Sequence, residues 1–209
     1  MVRSANKNIK AVVFDYGGVI ELHGGGSPSK MASEMLGIPH SEFRNVYFQH
    51  NHLANVENHD WYDMFSKVLS TFNISKEKEV EVMSMLQEHR SKMRINAGVV
   101  ALFPKLQQLG LRIGILSNSN SELRERLDQN GLAELVDVVV ISGEIGFQKP
   151  HKEAFQVLFE KLNLRPKEVI FVDDSTKSLE KAGEIGYMPI LFKNNEQLKA
   201  DLITAGVSL

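Results

Sequence analysis

No cysteine occurs in the 209 residues. That excludes disulfides, thiolate nucleophiles and cysteine-ligated zinc, and it agrees with a reducing compartment. A surplus of either charge is missing too: 24 Lys and Arg stand against 26 Asp and Glu, for a formal net charge of -2. Such a balance creates no long-range field to gather a polyanion, so nucleic acid is not expected as a partner. Long apolar runs are also lacking. Residues 1–10 are polar, and the apolar run at 11–14 is too short for a signal-peptide core or a membrane span. The expectation is a protein neither secreted nor anchored, with the cytoplasm as its default location. Without a secretory signal the sequon Asn73-Ile74-Ser75 carries no chemical meaning. Internal repeats and low-complexity segments are absent, and a composition of 43% hydrophobic and 24% charged residues is that of an ordinary globular chain with a substantial core.

What is present is a series of short apolar runs of strand length, at 9–14, 111–116, 136–141, 169–172 and 188–192. Most are apolar on both faces, as strands covered by helices on both sides of a parallel sheet must be. Segments of helical period alternate with the later runs: 97–109 stops at Gly110, 121–129 before Gly131, 151–162 follows Pro150 as the residue that opens it, and 177–185 stops at Gly186. This βαβα alternation predicts an α/β protein, a Rossmann-like parallel sheet sandwiched by helices. Between the first two runs, however, lie about ninety residues without a strand signal, far beyond an ordinary crossover. Segments 28–36, 40–50, 59–72 and 76–93 read there as an inserted all-helical bundle. Gly24-Gly25-Gly26-Ser27 and Ile95-Asn96-Ala97-Gly98 are expected to be flexible connections to it. The chain thus divides into a sheet domain, 1–22 and 95–209, and a helical domain, 23–94.

Polar residues cluster where the strands end. Asp15 closes the first strand and is followed by Tyr16-Gly17-Gly18-Val19. Open α/β sheets bind ligands outside such ends, and the glycines let backbone amides approach an anion; the plain alternative is an aspartate that caps a turn. The second strand ends in Leu116-Ser117-Asn118-Ser119-Asn120 at the start of a helix. That is a phosphate site by its dipole and hydroxyl, or simply a set of preferred helix caps. Lys149 lies in the loop after the third strand, able to offset phosphate charge or merely solvated. Phe171-Val172-Asp173-Asp174-Ser175 puts two adjacent carboxylates at another strand end. Their repulsion is costly unless a cation intervenes, and hard oxygen ligands suit Mg²⁺.

Through Asp15-Tyr16-Gly17-Gly18-Val19, Leu116-Ser117-Asn118, Lys149-Pro150 and Phe171-Val172-Asp173-Asp174-Ser175, in that order at successive strand ends, the chain resembles the haloacid-dehalogenase-like hydrolase superfamily. The resemblance covers the sheet domain and implies a helical cap between the first and second motifs, where the helical stretch already lies. It further implies a phosphohydrolase acting on a small phosphorylated metabolite. Asp15 would attack phosphorus, Ser117 would hydrogen-bond the transferring phosphoryl group and Lys149 would balance its charge. Gly18 and Asn118 would contact substrate, and Asp15, the Gly17 carbonyl, Asp173 and Asp174 would hold Mg²⁺.

The pattern also departs from the family. Its phosphatases usually carry a second aspartate two residues after the nucleophile as general acid and base, a role worth roughly 10² to 10⁴ in rate; Gly17 stands there. A branch of sugar-phosphate phosphatases with Asp-x-Gly-(Gly/Asn)-Val motifs shares the substitution, and the chain is most similar to that branch. Metal-independent haloacid dehalogenases lack the second aspartate as well, and a non-catalytic phosphate-binding protein is a third reading. The Asp173-Asp174 pair favours a phosphatase over a dehalogenase, and the retained Asp15 argues against a mere binding module. Ser178 replaces the usual Asn or Asp. His23, just beyond the nucleophile loop, is the candidate substitute acid. His50 and His52 diverge on one helix and make a poor zinc pair, while Trp61, Phe65, Val68 and Phe72 fall at helical spacing and read as core.

Overall fold

The structure, a computed structural model, describes residues 9–22 and 26–209. Its strands are β1 (Ala11–Phe14), β2 (Glu21–Leu22), β3 (Arg94–Ile95), β4 (Arg112–Ser117), β5 (Val138–Ile141), β6 (Val169–Asp173) and β7 (Met188–Leu191). Helices α1 (Pro28–Leu36), α2 (His40–His50), α3 (His52–Asn55), α4 (Trp61–Thr71) and α5 (Lys76–Ser91) fill the insertion. The rest of the chain adds α6 (Ala97–Val100), α7 (Phe103–Gln108), α8 (Glu122–Gln129), α9 (Ser142–Ile145), α10 (Lys152–Leu162), α11 (Thr176–Leu179), α12 (Ala182–Ile185) and α13 (Asn195–Thr204).

Five strands form one parallel sheet in the order β5-β4-β1-β6-β7, as the α/β reading requires. Val12 lies opposite Ile113 of β4 on one side and Ile170 of β6 on the other, so β1 is central. The chain builds outward through β4 and β5, then crosses to β6 and β7. Connections therefore diverge at β1, the point where such sheets open a ligand crevice. Alternate residues serve opposite layers. Val12, Phe14, Ile170 and Val172 pack with Phe103, Leu106, Leu123 and Leu127, whereas Ala11, Val13, Val169 and Phe171 pack with Phe155, Leu158 and Leu162. Burial on both faces is why these strands are continuously apolar.

Helix limits shift where local chemistry intervenes. The segment read as one helix at 97–109 is two, α6 and α7, since Pro104 sits at the start of α7 and cannot donate to the turn before it. The 177–185 segment likewise splits into α11 and α12. Pro150 does not open α10. It lies in a turn after a cis peptide bond to Lys149, and His151, with ψ 135°, precedes the first helical residue Lys152. In the insertion α4 starts at Trp61 because the Asp60 carboxylate caps it, accepting the Asp63 N–H at 2.9 Å. The insertion buries its own cluster, with Phe43, Phe65, Val68 and Leu86 inside and Trp61 and Phe72 packed against them.

The return connection is not flexible. Ile95 pairs with Glu21 in the antiparallel β2-β3 ribbon. Asn96 is buried, donates its N–H to the Ile20 carbonyl at 2.7 Å, and exchanges amide hydrogen bonds of 3.0 and 2.9 Å with Asn195. A Cβ on Gly98 would lie 2.2 Å from the Asn195 amide nitrogen, so glycine is needed for this approach. No helix among the described residues is long and apolar enough to cross a membrane.

Candidate active site

The polar residues at the strand ends converge. Asp15 extends β1, its N–H donating to the Val172 carbonyl at 2.8 Å. Its Oδ1 accepts the Tyr16 N–H at 2.7 Å and lies 2.9 Å from Lys149 Nζ. Lys149 is buried and donates also to Asp173 Oδ2 at 2.6 Å, with its ammonium 5.2 Å from the centre of the Phe171 ring. The other Asp173 oxygen accepts the Ser175 N–H at 2.8 Å. Asn118 holds the lysine's backbone from both sides: its Oδ1 accepts the Lys149 N–H at 2.8 Å and its Nδ2 donates to the Lys149 carbonyl at 3.1 Å. Ser117, also buried, ends β4.

Carboxylate oxygens of Asp15, Asp173 and Asp174 lie within 4.8 Å of one another. Burial pushes the Asp15 carboxyl up to about 7, with Asp173 and Asp174 adding to the rise and Lys149 opposing it. Burial alone would push the Lys149 ammonium down, yet Asp15 and Asp173 outweigh it and hold it above its ordinary value. The cluster thus carries more negative than positive charge, and an added cation would favour the ionised form of Asp15. Gly18 makes room for Asp174. At φ 81° it adopts a left-handed backbone, and a Cβ there would sit 2.3 Å from Asp174 Oδ2. Gly17 forms a bridge with Glu21.

Above these groups lies a chamber of about 440 Å³, walled by Asp15, Gly17, Ser117, Asn118, Lys149, Asp174 and Ser178 on the sheet side. Tyr47, Phe48, Trp61, Leu86, His89 and Arg90 of the insertion wall the other side. The insertion is fastened down around it. The Asn58 carbonyl oxygen of the side chain accepts the Ser121 N–H at 2.6 Å, Asn120 donates to the His59 carbonyl at 3.1 Å, and Arg90 pairs with Glu122 at 3.2 Å. Arg126 pairs with Glu21, which also accepts the Tyr16 hydroxyl at 3.2 Å. His23 lies outside the described residues. His50 and His52 do not converge: their Nδ1 atoms sit 3.0 and 2.9 Å from the carbonyls of Val46 and Gln49. His89, Glu21, Arg90 and Arg126 escape the sequence reading because no motif marks them. The available signal for His89 is its place in line with Val82 and Leu86 on one face of α5.

A family model described as haloacid dehalogenase-like hydrolase matches residues 38–191, a stretch that holds Ser117, Lys149 and both aspartates of β6 and its loop. The chain is a haloacid dehalogenase-like hydrolase. Asp15 lies before the matched stretch and joins its residues through the contact with Lys149. This hydrolase is 26% identical over 206 residues to a phosphatase of Mycobacterium tuberculosis, covering 94% of this chain and 93% of that one. Over 83 residues it is 35% identical to an (S)-2-haloacid dehalogenase of a Pseudomonas species, covering 39% of this chain and 37% of the other. Its fold matches that of a family enzyme of Bacteroides thetaiotaomicron solved with magnesium and inorganic phosphate. The TM-score is 0.63 and the identity 19%, over 88% of this chain and 94% of that one.

Proposed function

We propose that this hydrolase cleaves a small phosphomonoester, sugar phosphates being the nearest candidate class, by attack of Asp15 on phosphorus with Mg²⁺ as cofactor. The observation that carries the reading is the cluster of Asp15, Asp173 and Asp174 oxygens within 4.8 Å of one another, with Lys149 beside Asp15 and Asp173. Hard oxygen donors fit Mg²⁺, which is commonly held by one or two carboxylates while water and phosphate complete its shell. Asp15, Asp173, Asp174 and the Gly17 carbonyl would hold it, and when bound it supplies positive charge to the phosphoryl oxygens. The similarity to a phosphatase along nearly the whole chain supports the reading, as does the fold shared with an enzyme solved with magnesium and phosphate.

The protein's own groups do the rest. Asp15 attacks phosphorus, the ester P–O bond breaks, and an aspartyl-phosphate forms; water then cleaves it and restores the carboxylate. Lys149 offsets charge on the transferring oxygens, and the Ser117 hydroxyl binds one of them. Gly18 and Asn118 shape the cradle. Residues 23–94 act as a cap that opens for exchange and closes to exclude water, over a core of 1–22 and 95–209.

A panel of phosphorylated metabolites, assayed with Mg²⁺ and with chelator, tests this. Phosphate release that requires the metal and vanishes in Asp15→Asn is expected. Equal turnover by that variant would sink the mechanism. Chelator-insensitive halide release from a 2-haloacid would favour a dehalogenase, and phosphate binding without turnover a sensing protein.

A further inference from the structure

Two adjacent glycines, Gly17 and Gly18, follow Tyr16 in the loop after Asp15. Glycine surrenders more backbone freedom on folding than any other residue, so other contacts must hold the loop in one shape. Its backbone closes on itself. Ile20 and Glu21 donate their N–H groups to the Tyr16 carbonyl at 2.9 and 2.8 Å, and Gly18 donates to the Glu21 carbonyl at 2.8 Å. Val19 and Ile20 are buried in the core on one face of the sheet, and Asn96 donates to their carbonyls at 3.1 and 2.7 Å. These contacts fix where the loop ends. Apolar packing is non-directional and leaves the turn of Tyr16 to polar groups.

Three side chains supply that direction. Tyr16 is 2% exposed, so its hydroxyl needs a partner, and it donates to Glu21 at 3.2 Å. Glu21 is buried in its turn, so its charge needs a partner too, and Arg126 of α8 pairs with it. The Arg126 guanidinium also lies 5.0 Å from the centre of the Tyr16 ring, within cation–π reach. Each of the three therefore touches the other two. A guanidinium presents its donors in a rigid planar fork, so this triangle is directional where the core packing is not.

The loop meets the carboxylate cluster at two points. The Tyr16 N–H donates to Asp15 Oδ1 at 2.7 Å, the same oxygen that lies 2.9 Å from Lys149 Nζ. Gly18 sits where a Cβ would come 2.3 Å from Asp174 Oδ2. Turning Tyr16 thus moves a hydrogen-bond donor of Asp15. We infer that Arg126 is a positioning residue of this hydrolase: through Glu21 and the Tyr16 ring it holds the loop after Asp15, and with it the Asp15 carboxylate, in the geometry of attack. The inference rests on the phosphomonoesterase reading, in which Asp15 attacks phosphorus. Misplacing a reacting group by about 1 Å costs roughly 10²-fold in rate. Arg126, Glu21 and Tyr16 also line the chamber, so direct contact with substrate is the competing role. Kinetics separate the two, because a positioning residue acts on kcat and a binding contact on KM.

The test measures phosphate release in Mg²⁺ from p-nitrophenyl phosphate and from an alkyl phosphate of the metabolite panel. It compares the wild type with Arg126→Lys and with the double variant Arg126→Gln/Glu21→Gln. Neither variant strands a buried charge: the first keeps the cation without its fork, and the second removes both charges. Their urea midpoints are expected to stay close to that of the wild type. Their kcat is expected to fall by roughly 10- to 100-fold on both substrates, with KM changed by less than about threefold. A raised KM with kcat unchanged would make Arg126 a substrate contact and overturn the inference. An unchanged kcat in either variant, or a fall confined to one substrate, overturns it as well. Should both variants unfold, Tyr16→Phe decides, since it deletes only the hydroxyl. A kcat lowered by about threefold or more at constant KM supports the inference, and an unchanged kcat overturns it. All of these results leave the phosphatase reading intact, whereas no phosphate release by the wild type from any member of the panel overturns both.

Discussion

At Gly18 a hydrogen atom occupies the only space a side chain would have, 2.3 Å from the Asp174 carboxylate once a Cβ is placed there. The same residue holds φ 81°, which costs an L-residue about 1–2 kcal/mol. Gly18→Ala must therefore strain the loop after Asp15 and push Asp174 out of the carboxylate cluster. The expected outcome is a loss of about 1–2 kcal/mol in urea unfolding and a weakening of Mg²⁺ binding by about 10- to 100-fold, as when a metal's supporting groups are disturbed. Calorimetric titration reads the second effect; a metal affinity equal to wild type would remove Asp174 from the proposed ligand set. Lys149 shows the complementary arrangement. A buried ammonium is tolerated because Asp15 and Asp173 flank it and Asn118 fixes its backbone on both sides. The residue types at these positions were legible from their place at strand ends. The pairings were not, because they depend on which strands become neighbours.

Among the elements, α8 does more than cover the sheet. Arg126 holds Glu21 of β2, the strand that leaves for the insertion, while Glu122 holds Arg90 of α5. One helix thus fixes both the departure of the insertion and its far wall. Glu21 is 7% exposed, so deleting its partner strands a buried charge, a change that costs about 3–5 kcal/mol. Arg126→Ala should show that loss in chemical denaturation, and Glu21→Gln in the same background should recover much of it. A loss under 1 kcal/mol would mean that the pair is solvated in solution. The sheet strands were readable because most are apolar on both faces and bounded by turn residues. The β2-β3 ribbon was not: two residues per strand show no period, and the partners lie on either side of the whole insertion. Asn96 misled for a related reason. Asn beside Ala-Gly reads as a linker, and only the fold brings Asn195 within reach of it.

For the molecule as a whole, the decisive fact is that its apolar groups form separate cores. The two clusters flanking the sheet are built from sheet-domain residues, and the third is built from α1 to α5 alone. The insertion is joined to the sheet layer by polar contacts at Asn58, His59 and Arg90 around the chamber, which are individually weak next to either core. Local opening should then follow this division, since cooperative units coincide with independently packed clusters. Phe65 is fully buried and touches the rings of Phe43, Tyr47 and Trp61. Replacing it with Ala leaves a cavity worth about 3–5 kcal/mol. Hydrogen exchange of Phe65→Ala should show protection lost across residues 28–91 with β1, β4 and β6 still protected, and turnover should fall because the chamber loses one wall. Phe155→Ala, beneath the sheet, should lower protection everywhere. Equal loss of protection in both variants would show a single cooperative unit, in which the insertion could not open without unfolding the sheet that carries Asp15.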